Sequence, residues 1–189
     1  MTKDAAIAPL IERLARLMRA AEHAHGLNPA QWEALRYIAR ANRFSNSPGA
    51  LTRYLGATKG TVSQTVQALE RKGLLTKASR MGEKRSVVLA LTETGRAMLC
   101  NDPWARLSAA EADLSDKTRR RMARGARELL DGELSRGNHP TFGTCETCRY
   151  FREDGMKDSA DGPHQCMAFT APLSDIETGE ICVGHEAAR

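Results

Sequence analysis

The chain has 189 residues, 41% hydrophobic and 27% charged, with a formal net charge of +5. That length holds one ordinary core and a small appendage rather than two large domains. No apolar run of about 18 residues is present, which argues against a membrane span. Charges scattered through the first helical stretch read as an amphipathic helix rather than a signal peptide, so a cytoplasmic location is expected.

The charge is uneven. Residues 1–139 carry 24 Lys and Arg against 14 Asp and Glu, a net of +10, whereas residues 140–189 carry 4 against 9, a net of −5. Between 43 and 85, nine basic residues face only Glu70 and Glu83, the footprint of a phosphate-binding surface.

Apolar residues at 7, 10, 11, 14, 17, 18 and 21 predict a long first helix ending near Gly26. Asn28-Pro29-Ala30-Gln31 supplies an N-cap, a helix-starting proline and a capping-box glutamine for a second helix through Trp32, Leu35 and Ile38. Ser47-Pro48 starts a short third helix that Gly56 stops. Thr58 caps a fourth, with Val62, Val66 and Leu69 as its apolar stripe and Gly73 at its end. Two short helices joined by such a glycine-containing turn form a helix-turn-helix. A strand after Leu74-Leu75, a tip around Arg80–Lys84 and an alternating strand Ser86–Leu91 then make a basic wing. Further helices are predicted over 92–112 and 115–136, and Cys100 in the first of them is expected to be a packed, inert core thiol. Gly137-Asn138-His139-Pro140 breaks the chain where the charge changes sign, dividing it into domains 1–139 and 140–189.

The helices 4–23, 92–112 and 115–136 carry apolar stripes that a small winged-helix core leaves uncovered. A homodimer is therefore expected, with two recognition helices about one turn of double-stranded DNA apart, or a multiple of it, on an imperfectly palindromic operator. Within 58–72 the apolar positions turn inward and leave Lys59, Thr61, Ser63, Gln64 and Gln67 outward. Short hydroxyls and glutamines suit base edges in the major groove. Lys59, Arg80, Lys84 and Arg85 suit phosphates or a narrow minor groove, and Thr58 completes the expected DNA-binding set.

This succession resembles the MarR family of winged-helix regulators. TKGTVSQTVQALERKGLL and EKRSVVLALTETG carry the resemblance, which covers roughly residues 5–136. Glu83-Lys84-Arg85 stands where wings of that family usually have Asp-x-Arg. The resemblance implies a mainly α fold with a small β-wing and dimerising arms, and a transcriptional regulator, more often a repressor. No phosphate-binding glycine loop, H-E-x-x-H or nucleophile elbow is present, and an enzyme is not expected.

The tail holds Cys145, Cys148, Cys166 and Cys182 in a C-x2-C-x17-C-x15-C set. In a cytoplasmic protein such cysteines read as ligands before bridges. A cubane [4Fe–4S] cluster fits one close pair and two separate singletons. Zinc is the alternative, although its structural sites usually draw on two close pairs; two disulfides are the third reading. The stretch CETCRYF…HQCMAF…GEICVGHE is similar to high-potential iron–sulfur proteins over about 40 residues, with Ile181 where those proteins often have an aromatic. Phe142, Tyr150, Phe151 and Phe169 are expected to shield the cofactor. His164 and His185 are read as ordinary or supporting histidines, and His23 and His25 as cations at a helix end.

The expectation is a small irregular tail, stapled by its cofactor, that senses redox state, iron or a small gas and sets operator binding through the dimerisation helix ending near Arg136. Two other readings stay open: a small-molecule-responsive regulator with a structural zinc, and an electron-transfer module that uses the winged helix for protein association.

Overall fold

Asn28 caps helix α2 (Pro29–Arg40) through a complete capping box: its side chain accepts from the Gln31 amide, and the Gln31 side chain accepts from the Asn28 amide. In the computed structural model, which describes residues 6–80, 83–137 and 139–188 without the side chains of residues 24, 80 and 83–85, this helix is the centre of the body. It buries Trp32, Ala34, Leu35, Tyr37 and Ile38. Helix α1 (Ile7–Ala21) precedes it, followed by a 3-10 turn Glu22–His25 that ends at left-handed Gly26.

Helices α3 (Pro48–Leu55) and α4 (Lys59–Arg71) pack on α2. Ser47 and Thr58 cap them, and Gly56 ends α3 in the left-handed conformation, as their sequence signatures predict. Strands β1 (Leu75–Arg80) and β2 (Glu83–Leu91) form the antiparallel wing, in register from Leu75↔Leu91 to Ser79↔Val87. The second strand begins at Glu83 rather than Ser86.

The helix predicted over 92–112 is two helices, α5 (Glu93–Leu99) and α6 (Pro103–Ala112). The break has a local cause: Asp102 accepts from the Trp104 amide at 3.0 Å as an N-cap, and Pro103 lacks the donor that would continue α5. Cys100 is the C-cap of α5 and is exposed, not a core thiol. The corner is fastened to the body by charge. Arg36 donates to Glu22 at 2.7 Å and to Asp102 at 2.9 Å, and Trp104 Nε1 donates to the same Glu22 carboxylate at 3.1 Å.

Helix α7 (Asp116–Arg136) and α1 have no buried residue in the single chain. Ile7, Leu10, Ile11 and Leu17 on α1 and Met122, Leu129 and Leu130 on α7 are all exposed. Among the described residues no helix is long and apolar enough to cross a membrane.

The tail is more regular than expected. Strands β3 (Phe151–Arg152), β4 (His164–Cys166) and β5 (Ala171–Leu173) form a small antiparallel sheet, followed by the one-turn helix α8 (Asp175–Thr178) with a Ser174–Glu177 capping box. The tail leans on the body: Phe142, Ile181 and Val183 pack against the winged-helix core.

Candidate nucleic-acid interface and thiol centre

Helix α4 has one face fixed by burial and one left free. Val62, Val66 and Leu69 are sunk in the core, and Thr65, nearly buried, turns its hydroxyl back to the Thr61 carbonyl at 3.0 Å. Lys59, Thr61, Ser63, Gln64 and Gln67 are all exposed. Thr58 Oγ1 caps the helix by accepting from the Thr61 amide at 3.1 Å, so its hydroxyl orients the helix start. Gln67 reaches Ser63 at 3.3 Å, and Gln64 is exposed. In the wing, Lys77 pairs with Glu70 of α4 at 2.7 Å and ties the hairpin to this helix. Arg80, Lys84 and Arg85 lie on the strands by their backbone, and their side chains are outside the described residues.

Three chain segments bring the tail cysteines together. Cys145 opens a 3-10 turn whose end is closed by the Cys148 amide bonding to the Cys145 carbonyl at 2.9 Å. Cys166 ends β4 opposite Phe151, and Cys182 donates its amide to the Gly143 carbonyl at 2.9 Å. All four are free thiols; Cys145, Cys166 and Cys182 are buried and Cys148 is half-buried. Leu173, Phe44 and Phe151 surround Cys145 and Cys166. Burial, reinforced by Cys182, Cys148, Cys166 and Glu177, pushes the Cys145 thiol up to about 12. Burial also raises the Cys182 thiol, against the pull of hydrogen-bond donors on Asn42 and Gly184. The thiols thus share one low-dielectric neighbourhood. Among the described residues no group of three or more His, Cys, Asp or Glu side chains converges closely enough to hold a metal ion.

Two glycines make room here. A Cβ on Gly143 would stand 2.7 Å from His185 Nε2, and one on Gly184 would meet the Phe169 ring at 2.8 Å. His185 is buried, its Nε2 lies 3.0 Å from Thr147 Oγ1, and its Nδ1 has no hydrogen-bond partner. Both nitrogens of His164 are engaged, Nδ1 by the Asp154 amide at 3.1 Å and Nε2 by Asp175 at 2.8 Å, which leaves it a structural role. The aromatics divide. Phe151 lies against the thiols, Phe169 stacks on Phe44 at 4.2 Å, and Phe142 packs edge-on against Tyr37 and Tyr54 of the body.

The loop between α2 and α3 receives the tail, a contact the sequence pattern does not announce. The Asn42 amide bonds to the Ile181 carbonyl at 3.1 Å, the Val183 amide donates to Ser45 Oγ at 2.8 Å, and Arg43 pairs with Glu177 at 3.3 Å. Buried polar residues, Asn42 and Ser45, do this work, and they carry no apolar periodicity. Beside the loop, Arg36, Arg40, Tyr54, Trp104, Leu130 and Phe142 help line an open cleft of about 900 Å³ between body, arm and tail.

The body has a winged-helix fold similar to that of MarR proteins. Residues 25–86 match the model of the MarR family. Among solved structures, the chain is similar to MepR of S. aureus in complex with DNA, at 17% identity over 68% of this chain and 99% of that one, with a TM-score of 0.53. It is also similar to a MarR transcriptional regulator from Methanosarcina mazei Go1, at 22% identity over 68% and 96% of the two chains, with a TM-score of 0.53. At these identities the likeness establishes the fold. No curated protein matches the chain significantly.

Proposed function

We propose that this protein is a homodimeric, operator-binding transcriptional repressor whose DNA affinity is set by a [4Fe–4S] cluster held on Cys145, Cys148, Cys166 and Cys182. The observation that carries the regulator half is the exposed polar face of α4: Gln64 and Ser63 are exposed and suit base edges, while the lysines and arginines in the wing sequence suit phosphates by residue type. The apolar faces of α1 and α7 support pairing with a second copy, since stripes of that kind mark an interaction surface.

For the cofactor half, the donor set fits the group. Four free thiols from three segments share one largely buried neighbourhood, with backbone and side-chain donors near Cys182. A single zinc at about 2.3 Å from each sulfur draws four sulfurs to about 3.8 Å from one another. A cubane binds each cysteine through a different iron and accepts a wider spread. When bound, the cluster would supply a charge that changes with redox state. The chain's own part would be to exclude water with Phe151 and Leu173.

Anaerobic purification followed by an absorption spectrum and iron, sulfide and zinc analysis tests this. A brown protein with about four irons per chain is expected; a colourless protein with one zinc per chain overturns the cluster.

A second reading is a small-molecule-responsive regulator, with the open cleft between body, arm and tail as the place where a ligand would sit. Calorimetric titration with small aromatic acids tests it; no binding at millimolar ligand removes it.

A further inference from the structure

We propose that the docked tail positions the wing: it grips residues 41–45 and so fixes Asn46, which holds strand β2, and a tail that loosens this grip weakens specific DNA binding. The inference rests on α4 and the wing being the elements that meet DNA, and it does not depend on what the thiols hold.

The contacts run residue by residue along the segment after α2. Ala41 forms a parallel bridge with Ile181, in which the Ile181 amide donates to the Arg40 carbonyl at 2.6 Å and the Asn42 amide donates to the Ile181 carbonyl at 3.1 Å. Arg43 pairs with Glu177 at 3.3 Å and donates to the Pro172 carbonyl. The Phe44 ring lies nearly parallel to Phe169, with centroids 4.2 Å apart. Ser45 is fully buried; its hydroxyl accepts from the Val183 amide at 2.8 Å and donates to Asn42 Oδ1 at 2.7 Å. Each residue from 41 to 45 thus meets the tail, and the next one meets the wing: the Asn46 carbonyl accepts from the Leu89 amide at 2.7 Å.

That bond lies at the base of the wing. Among the described residues β2 pairs with β1 alone, and successive amides of an antiparallel strand point to opposite edges. Leu89 turns its amide to the edge that β1 leaves open. Leu89 is buried, so its amide needs an acceptor from the protein, and Asn46 supplies it. Ser47, the following residue, caps α3. One short segment therefore sets both the base of the wing and the start of the helix-turn-helix.

The body holds this segment by less than the tail does. The Ser45 and Asn46 amides close a turn on the Asn42 carbonyl at 2.9 and 3.1 Å, and the Tyr37 hydroxyl donates to the Ser45 carbonyl at 2.8 Å. Undocking the tail strips partners from the Asn42 amide, the Ser45 hydroxyl and the Phe44 ring at once. A segment with fewer buried partners opens more often, and Leu89 loses a fixed acceptor whenever it does. This route from tail to DNA-binding elements differs from the one expected through the dimerisation helix, and it needs no rotation of α7.

The test compares wild type with full-length Phe169→Ala, each as purified, by site-resolved amide hydrogen exchange. Binding is measured to a duplex that wild type enriches from a random pool, with a scrambled duplex as control. The variant is expected to exchange roughly tenfold faster or more at Asn42 and Leu89, with residues 32–38 of α2 unchanged. Its affinity for the enriched duplex is expected to fall about fivefold or more, and that for the scrambled duplex to stay within about twofold. If Asn42 exchange is unchanged in Phe169→Ala, Val183→Pro serves the same comparison, because it removes the amide that Ser45 accepts. Faster exchange at Asn42 with Leu89 unchanged overturns the proposal, as does full preference for the enriched duplex in a variant whose tail has loosened. Unchanged exchange at Asn42 in both variants overturns it too, because the tail contacts then do not hold the segment. A wild type that enriches no duplex removes the regulator reading instead, and exchange at Leu89 still decides whether the tail holds the wing.

Discussion

The body and the tail are held together by different means. In the body, an apolar core runs from Leu27 through Trp32, Leu51 and Leu69 to Leu91, and its burial is the main source of stability for the winged helix. The tail has Leu173, three buried cysteines and three strands of two or three residues, and Phe142, Ile181 and Val183 pack against the body. A segment with so small a core needs a cofactor, a bridge or a docking partner to stay folded.

The largest expected effect separates the two at once. Cys145→Ser with Cys166→Ser abolishes cofactor uptake and opens 140–189 to protease, while the helical circular dichroism of the body and its dimer remain; loss of the dimer would mean the two regions are one folding unit. Next, Leu69→Ala, at a fully buried site, destabilises the body by about 2–5 kcal/mol in denaturant melts. Leu173→Ala, at 1% exposure, removes a similar side chain yet is expected to loosen only the tail, leaving the main melting transition in place. Equal losses in that transition would contradict the contrast. Gln64→Ala weakens specific DNA binding roughly tenfold or more with little change in non-specific binding, measured by titration against operator and scrambled duplexes. The smallest effect belongs to Asn28→Ala, which removes a cap from α2 and costs about 1 kcal/mol in the same melts.

The body was largely legible because its signals are local and repeated. Asn28-Pro29, Ser47-Pro48 and Thr58 cap the helices where they stand, and Val62, Val66 and Leu69 set the inward face of α4. Asp102-Pro103 has the same cap-plus-proline signature, and the helix expected over 92–112 breaks there. Cys100 was misplaced by the same assumption, for a residue at a helix end turns outward where one inside the stripe would not. In the tail, strands as short as Phe151–Arg152 hold too few residues to show alternation. Its seat on the body depends on Asn42 and Ser45, whose value comes from burial and partners that only the fold supplies. The cysteine spacing itself was legible; the loop of the body on which the tail rests was not.

The most direct test of the account is selection from random duplex DNA by the full-length protein, loaded and cluster-free, side by side without oxygen. The account predicts that both forms remain dimers, that one of them enriches a palindromic motif with half-sites about 10 base pairs apart, and that the other enriches it at least tenfold less. Equal enrichment by the two forms would contradict control by the thiol centre, and no enrichment by either would contradict the regulator.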